Sequence, residues 1–226
     1  VNPTVLLFDI DGTLVSTGGA GRRAIDRAFD RLHGRPDACS HFSFSGMTDR
    51  AIARIGLETI GAEASEANVT ALIDCYVECL RDTVRDTPDE KYRVHAGMRE
   101  AVRAGHAAGM AVGLGTGNVR EGARVKLERV ALFDQFAFGG FGDDHEERPE
   151  LIRRGAERGL AILGVREARV VIIGDTPKDV TAAQAIGAQS LAVATGGFSV
   201  QELKDVGATW AFESLASPGA LDALLK

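Results

Sequence analysis

A chain of 226 residues with 45% hydrophobic content carries enough apolar material for a packed core, which excludes a disordered protein. Its length fits one core of domain size with a smaller unit inserted into it. The net charge of −6, with no basic run and no aromatic–basic interleaving, gives no support to nucleic-acid binding.

No stretch nears the roughly 20 apolar residues of a membrane span, and the N-terminal segment reaches Asp9 and Asp11 before a secretory core could form. A cytoplasmic protein, monomeric or homodimeric, is therefore expected. Three cysteines, Cys39, Cys75 and Cys79, cannot all pair, and the last two lie four apart in a helical pattern. Reduced thiols are expected, with a metal-binding pair as the alternative.

In chain order, the first element is the apolar run Thr4 to Phe8, TVLLF. Continuous rather than alternating hydrophobicity predicts a strand buried on both faces, as in a parallel sheet covered by helices. From Ser16 to Arg93 the pattern is helical. Ala20, Ala24, Ala28 with Ile25, Phe29, Leu32 form one stripe, Asp49 to Ile60 a shorter helix, and Val69, Leu72, Ile73, Tyr76, Val77, Leu80 another. That is more chain than one crossover needs, so residues 16–93 read as a helical domain inserted into a core of residues 1–15 and 94–226. Gly18, Gly19, Gly21 and Pro88 mark its hinges.

A helix around Met98, Ala101 and Val102 follows, then a strand at Met110 to Leu114 and a helix starting near Val119. A helix carrying Leu151, Ile152, Ala156, Leu160 and Leu163 precedes the strand Val170 to Ile173, with weaker strands at Ser190 to Ala194 and Thr209 to Phe212. Alternating strand and helix predicts an α/β fold with a Rossmann-like, doubly wound parallel sheet.

The first strand runs into Asp9-Ile10-Asp11-Gly12-Thr13. With period two, both carboxylates point to one side while Ile10 enters the core. They sit at the carboxyl end of a buried parallel strand, where open α/β sheets place their ligands. The second strong strand ends Gly115-Thr116-Gly117-Asn118, a hydroxyl and backbone N–H groups ahead of a helix, which suits an anion. The third ends Gly174-Asp175-Thr176-Pro177-Lys178-Asp179. Thr176 and Pro177 read as a helix start with Asp179 completing a capping box; that leaves Asp175 unexplained by capping. Acids from two strands and a hydroxyl from a third suit a divalent cation beside a phosphate, and hard oxygen ligands favour Mg²⁺. A carboxylate can also attack phosphorus directly.

DIDGT, LGTGN and GDTPKD, in this order and spacing, resemble the haloacid dehalogenase-like hydrolase superfamily, in its phosphoglycolate phosphatase-like branch. The resemblance implies a Rossmann-like core with a helical cap. It implies Asp9 as nucleophile, Asp11 as general acid/base and Thr116 as the phosphate-binding hydroxyl, with Gly117 and Asn118 alongside. The same resemblance assigns Mg²⁺ to Asp9, Asp175 and the backbone carbonyl of Asp11, with Asp179 behind them as an orienting group. The family's lysine before proline is replaced here by Arg148-Pro149, whose guanidinium can supply the same fixed charge with a different fork geometry. Against this stands a solvated arginine in the acidic segment containing Asp143, Asp144, Glu146 and Glu147, with Lys178 as the next candidate cation.

The cap stretch Phe44 to Arg50 resembles the loop that related caps present to substrate. Arg50, with Arg22 and Arg23, is a candidate for binding a substrate anion, while Thr48 and Asp49 fit an ordinary helix start and His41 and Met47 fit packing. The expected activity is Mg²⁺-dependent hydrolysis of a small phosphorylated metabolite. A phosphoglucomutase-like phosphotransferase uses the same two aspartates and is the alternative. A dehalogenase has no leaving oxygen for Asp11 to protonate, and a Schiff-base phosphonate hydrolase needs a cap lysine where only Lys91 exists. A noncatalytic phosphometabolite-binding module leaves both acids without purpose.

Overall fold

The computed structural model describes residues 2–226. Its strands are β1 (Thr4–Phe8), β2 (Val15–Thr17), β3 (Tyr92–Val94), β4 (Ala111–Gly115), β5 (Gly139–Gly140), β6 (Arg169–Gly174), β7 (Gln189–Val193) and β8 (Trp210–Phe212). The helices are α1 (Ala20–His33), α2 (Asp49–Thr59), α3 (Glu66–Asp86), α4 (Met98–Ala107), α5 (Arg120–Glu128), α6 (Arg148–Leu163), α7 (Pro177–Ala185), α8 (Val200–Asp205) and α9 (Ala220–Leu225). Among the described residues, no helix is long and apolar enough to cross a membrane.

Six strands form one parallel sheet in the order β5-β4-β1-β6-β7-β8. β1 lies inside it and is wholly buried, pairing Leu6 with Val112 on one side and Val171 on the other. Alternation then divides the core. Leu6, Phe8 and Ile10 join Met98, Val112 and Ile173 on one face, while Val5 and Leu7 join Leu151, Ile152 and Ile172 on the other. This is the expected Rossmann-like sheet, with Ile10 in the core as its parity requires.

The sequence pattern did not announce β5. It has no apolar side chain, only two glycines, and it exists because α6 approaches too closely for anything larger: a Cβ on Gly140 would stand 1.9 Å from the carbonyl oxygen of Leu151. The glycines complete the sheet edge by letting backbone touch backbone.

The inserted segment forms the helical cap. α1, α2 and α3 bury their stripes on each other around Phe29, Leu57, Leu72 and Leu80, a core distinct from that of the sheet. Gly56 makes the α1–α2 contact possible, since a Cβ there would meet the Phe29 ring at 2.4 Å. Thr48 and Ser65 cap α2 and α3 by accepting backbone N–H bonds from Ala51 and Asn68. Chain enters and leaves the cap through β2 and β3, which pair antiparallel from Val15–Val94 to Thr17–Tyr92 and tie the two crossings together. All three cysteines are buried and free.

Candidate active site

Asp9 and Asp11 emerge where β1 ends, at the carboxyl edge of the sheet, and line a cavity of about 300 Å³ between core and cap. Gly117 and Asn118 after β4 reach the same cavity, as do Asp175 and Thr176 after β6 and Arg148 at the start of α6. The cap closes it with Gly19, Arg22, Phe44, Met47, Asp49 and Tyr76.

Thr116 is fully buried beneath this surface, where its hydroxyl accepts from the Asn118 side-chain amide at 2.8 Å. Burial pushes the Asp9 carboxyl up to about 6, with Asp179 adding to the rise and Arg148 opposing it. Asp175 is pushed up to about 8, first by burial and then by the charges of Asp179 and Asp9. Thr13 donates to it at 2.7 Å, and Gly12, with φ of +81°, turns the chain beside it: a Cβ there would lie 2.4 Å from the Asp175 carboxylate.

Oxygens of Asp9, Asp175 and Asp179 lie within 4.8 Å of one another. Three buried carboxylates this close carry more negative charge than the single guanidinium of Arg148 offsets, and their hard oxygens suit Mg²⁺ rather than a thiolate-seeking metal. The site therefore fits a divalent cation at Asp9 and Asp175. Asp179 is less free. Its Oδ1 accepts from Arg148, and its Oδ2 accepts from the backbone N–H and hydroxyl of Thr176 at 3.0 and 2.7 Å, the expected capping box. Asp179 thus stands behind the cavity as a holder of Arg148.

Arg148 is no solvated helix start. It is 6% exposed, with Nη2 2.9 Å from Asp9 Oδ2 and 2.5 Å from Asp179 Oδ1. The two carboxylates hold its guanidinium above the usual arginine range despite the burial. Arg50, expected to bind substrate, does not line the cavity. It pairs with Glu66 at 2.5 Å and faces Glu146 at 3.7 Å. The physical reason is helical phase: Asp49 and Arg50 are successive residues of α2 and point about 100° apart, so the acid turns to the cavity and the arginine turns away. Asp49 accepts from the Val119 backbone N–H at 2.9 Å, and its own N–H donates to Gly117 O at 2.8 Å, which docks the cap on the core. Arg22 does reach the cavity, but it donates to the carbonyls of Cys39 and Phe42 with its guanidinium over the Phe44 ring. Arg23 binds Gly18 O and Thr87 near the crossings.

Sequence reasoning missed Lys126. This α5 residue is 3% exposed, yet its ammonium enters the cavity and bonds Asp11 Oδ2 at 2.6 Å and Asn118 Oδ1 at 2.5 Å. Burial opposes ionisation of Asp11, but Lys126, Asn118 and Thr17 together hold its carboxyl below the ordinary value. The one available signal was a lysine inside the apolar stripe Val119, Gly122, Ala123, Lys126 of an otherwise amphipathic helix.

The crowding of Asp9 and Asp175 predicts how a cation affects stability. Without it, the folded protein retains protons that the unfolded chain, with carboxyls near 3.8, has already released, so this cluster's contribution to stability falls as pH rises through 6 and 8. A bound cation removes that penalty. The gain in Tm on adding Mg²⁺ to chelator-stripped protein should be larger at pH 8 than at pH 5.5; a gain equal at both would show that these carboxyls do not bind it.

The fold is shared by solved structures of low sequence identity. A predicted phosphatase from Clostridium acetobutylicum superposes with a TM-score of 0.66 at 22% identity, over 100% of this chain and 97% of that one. CbbY from Rhodobacter sphaeroides in complex with phosphate gives 0.73 at 17%, over 98% and 100%. A predicted phosphoglycolate phosphatase from Haemophilus somnus gives 0.71 at 15%, over 99% and 98%. No curated protein matches the chain. The family model for haloacid dehalogenase-like hydrolases matches residues 6–193, a span that opens inside β1 and closes with β7 and so includes Asp9, Asp11, Thr116, Arg148 and Asp175; the chain belongs to that family.

Proposed function

We propose that the protein is a Mg²⁺-dependent phosphatase that hydrolyses a small phosphomonoester through an aspartyl-phosphate on Asp9. The observation that carries this reading is the meeting of Asp9, Asp11, Asp175 and Arg148 in one cavity at the carboxyl edge of the sheet. Asp9 and Asp175 would hold the cation with the Asp11 carbonyl, and Mg²⁺ supplies charge neutralisation at the phosphoryl oxygens. Gly117 and Asn118, which line the cavity, would meet the phosphate, while Thr116 is fully buried beneath them and supports Asn118 through its hydroxyl. Asp11, which Lys126 otherwise holds ionised, takes a proton from the monoanionic ester as it binds and gives it to the departing alkoxide while Asp9 attacks phosphorus. Asp11 then takes a proton from water as that water attacks phosphorus, releasing phosphate and restoring Asp9. A cavity of about 300 Å³, closed by the cap, suits a small metabolite rather than a phosphoprotein.

The test is phosphate release from a panel of phosphorylated metabolites, with p-nitrophenyl phosphate as the general probe. Activity should vanish in chelator and return with Mg²⁺, and Asp175→Ala should raise the Mg²⁺ concentration for half activity or abolish turnover. Full activity in chelator sinks the metal assignment. An isomerised sugar phosphate in place of inorganic phosphate would make the enzyme a phosphotransferase.

A further inference from the structure

We propose that Lys126 is a positioning residue that fixes the Asp11 carboxylate for proton transfer, anchored in the core and covered by the cap; the inference rests on the phosphatase reading above. An ammonium has three hydrogens to donate. Here two of them meet Asp11 Oδ2 at 2.6 Å and Asn118 Oδ1 at 2.5 Å, and the Tyr76 hydroxyl lies on the same cavity wall, so the ammonium is held between two core acceptors.

What this bonding does to Asp11 is specific. Its Oδ2 takes both strong bonds, from Lys126 and from Asn118 Nδ2 at 2.9 Å, while Oδ1 has only a 3.4 Å contact from Thr17. One oxygen is tied down and the other is left to exchange a proton with the leaving alkoxide or with water. The side chain remains 42% exposed toward the cavity, so without these bonds it would be free to change rotamer.

The ammonium lies where the two units meet. Asn118 follows β4 and Lys126 lies on α5 in the core, whereas Tyr76 belongs to α3 of the cap. Gly21 of α1 packs beside both groups: a Cβ there would lie 3.4 Å from the ammonium and 3.7 Å from the Tyr76 oxygen, in ordinary van der Waals contact. Both acceptors that hold the ammonium belong to the core, and Tyr76 of the cap covers them from the other side of the cavity.

Leaving-group dependence tests this. Departure of p-nitrophenolate needs no proton, whereas departure of an alkoxide does, and kcat/KM reports the steps through departure of the leaving group. Lys126→Met should lower kcat/KM for the best aliphatic ester of the panel by roughly 100-fold, the scale of general acid catalysis, and that for p-nitrophenyl phosphate by less than about 5-fold. Asp11→Asn should show the same selectivity. Tyr76→Phe keeps the ammonium and removes the polar group that covers it from the cap, so a smaller loss of roughly 3- to 10-fold on the aliphatic ester alone is expected; this variant decides the matter if Lys126→Met does not fold. Equal losses on both esters in the Lys126 and Tyr76 variants, with Asp11→Asn still selective, would overturn the proposal and leave Lys126 a structural residue. Absence of selectivity in Asp11→Asn would remove the acid/base role of Asp11 and the proposal with it, while Mg²⁺-dependent turnover could still stand.

Discussion

Asp9→Asn is expected to lower turnover by at least about 10⁴-fold, the scale seen when a covalent nucleophile is removed, without lowering the thermal stability of the metal-free protein. The first half follows from chemistry. An amide oxygen is a poor nucleophile toward phosphorus, and the substitution also takes one carboxylate from the cation site. The second half follows from the electrostatics around Asp9. It sits 5% exposed among Asp175 and Asp179, and burial already pushes its carboxyl up to about 6. Asparagine keeps the shape and removes a charge from a crowded cluster. Arg148 retains its two bonds to Asp179 Oδ1 and is not orphaned. Activity and Tm should therefore part company: phosphate release near zero, with Tm in chelator at pH 8 equal to or above that of the parent. Wild-type activity would assign the nucleophile elsewhere. A large fall in Tm would mean that the Asp9 carboxylate is a structural partner of Arg148 before it is anything else.

Why the acids were legible in the sequence and Lys126 was not comes down to how each is placed. Asp9, Asp11 and Asp175 interrupt dense apolar runs, and a carboxylate that ends a strand buried on both faces has one place to go, the carboxyl edge of the sheet. Their position follows from local pattern alone. Arg148 was visible only through the resemblance, at the place where the family carries a lysine before proline, and its burial against Asp9 and Asp179 depends on how α6 packs across β5, an edge made of glycines with no apolar signature. Lys126 depends on tertiary placement entirely. A lysine in a helix is ordinarily solvated, and only the docking of α5 under α1 and α3 turns this one inward. The misplacement of Arg50 has the same origin: proximity in sequence to a loop that faces substrate does not fix which side of a helix faces it.

Arg148→Ala should cut kcat by roughly 10²- to 10³-fold, the cost of removing a charge that stabilises the transferring group, and Arg148→Lys should recover much of it. The guanidinium does two jobs that alanine abandons together. In the proposed reaction it would offset the repulsion between Asp9 and an incoming phosphate, and it holds Asp179, from which Thr176 and the start of α7 are organised. Removing one partner of a buried ionic set costs about 3–5 kcal/mol where the remaining charges stay ionised, so Arg148→Ala should also be destabilised, more at pH 8 than at pH 5.5, where Asp9 and Asp175 gain protons. Lysine can reach both carboxylates with one ammonium but cannot reproduce the paired Nε and Nη2 bonds to Asp179 Oδ1 at 3.0 and 2.5 Å. Its kcat should lie closer to wild type than its Tm does. The measurement is kcat at saturating Mg²⁺ and substrate for both variants, alongside Tm at the two pH values. Wild-type kcat in Arg148→Ala, with only Tm reduced, would confine the arginine to holding Asp179 and move the charge facing phosphate to Lys178, whose stem packs against Gly46 of the cap loop.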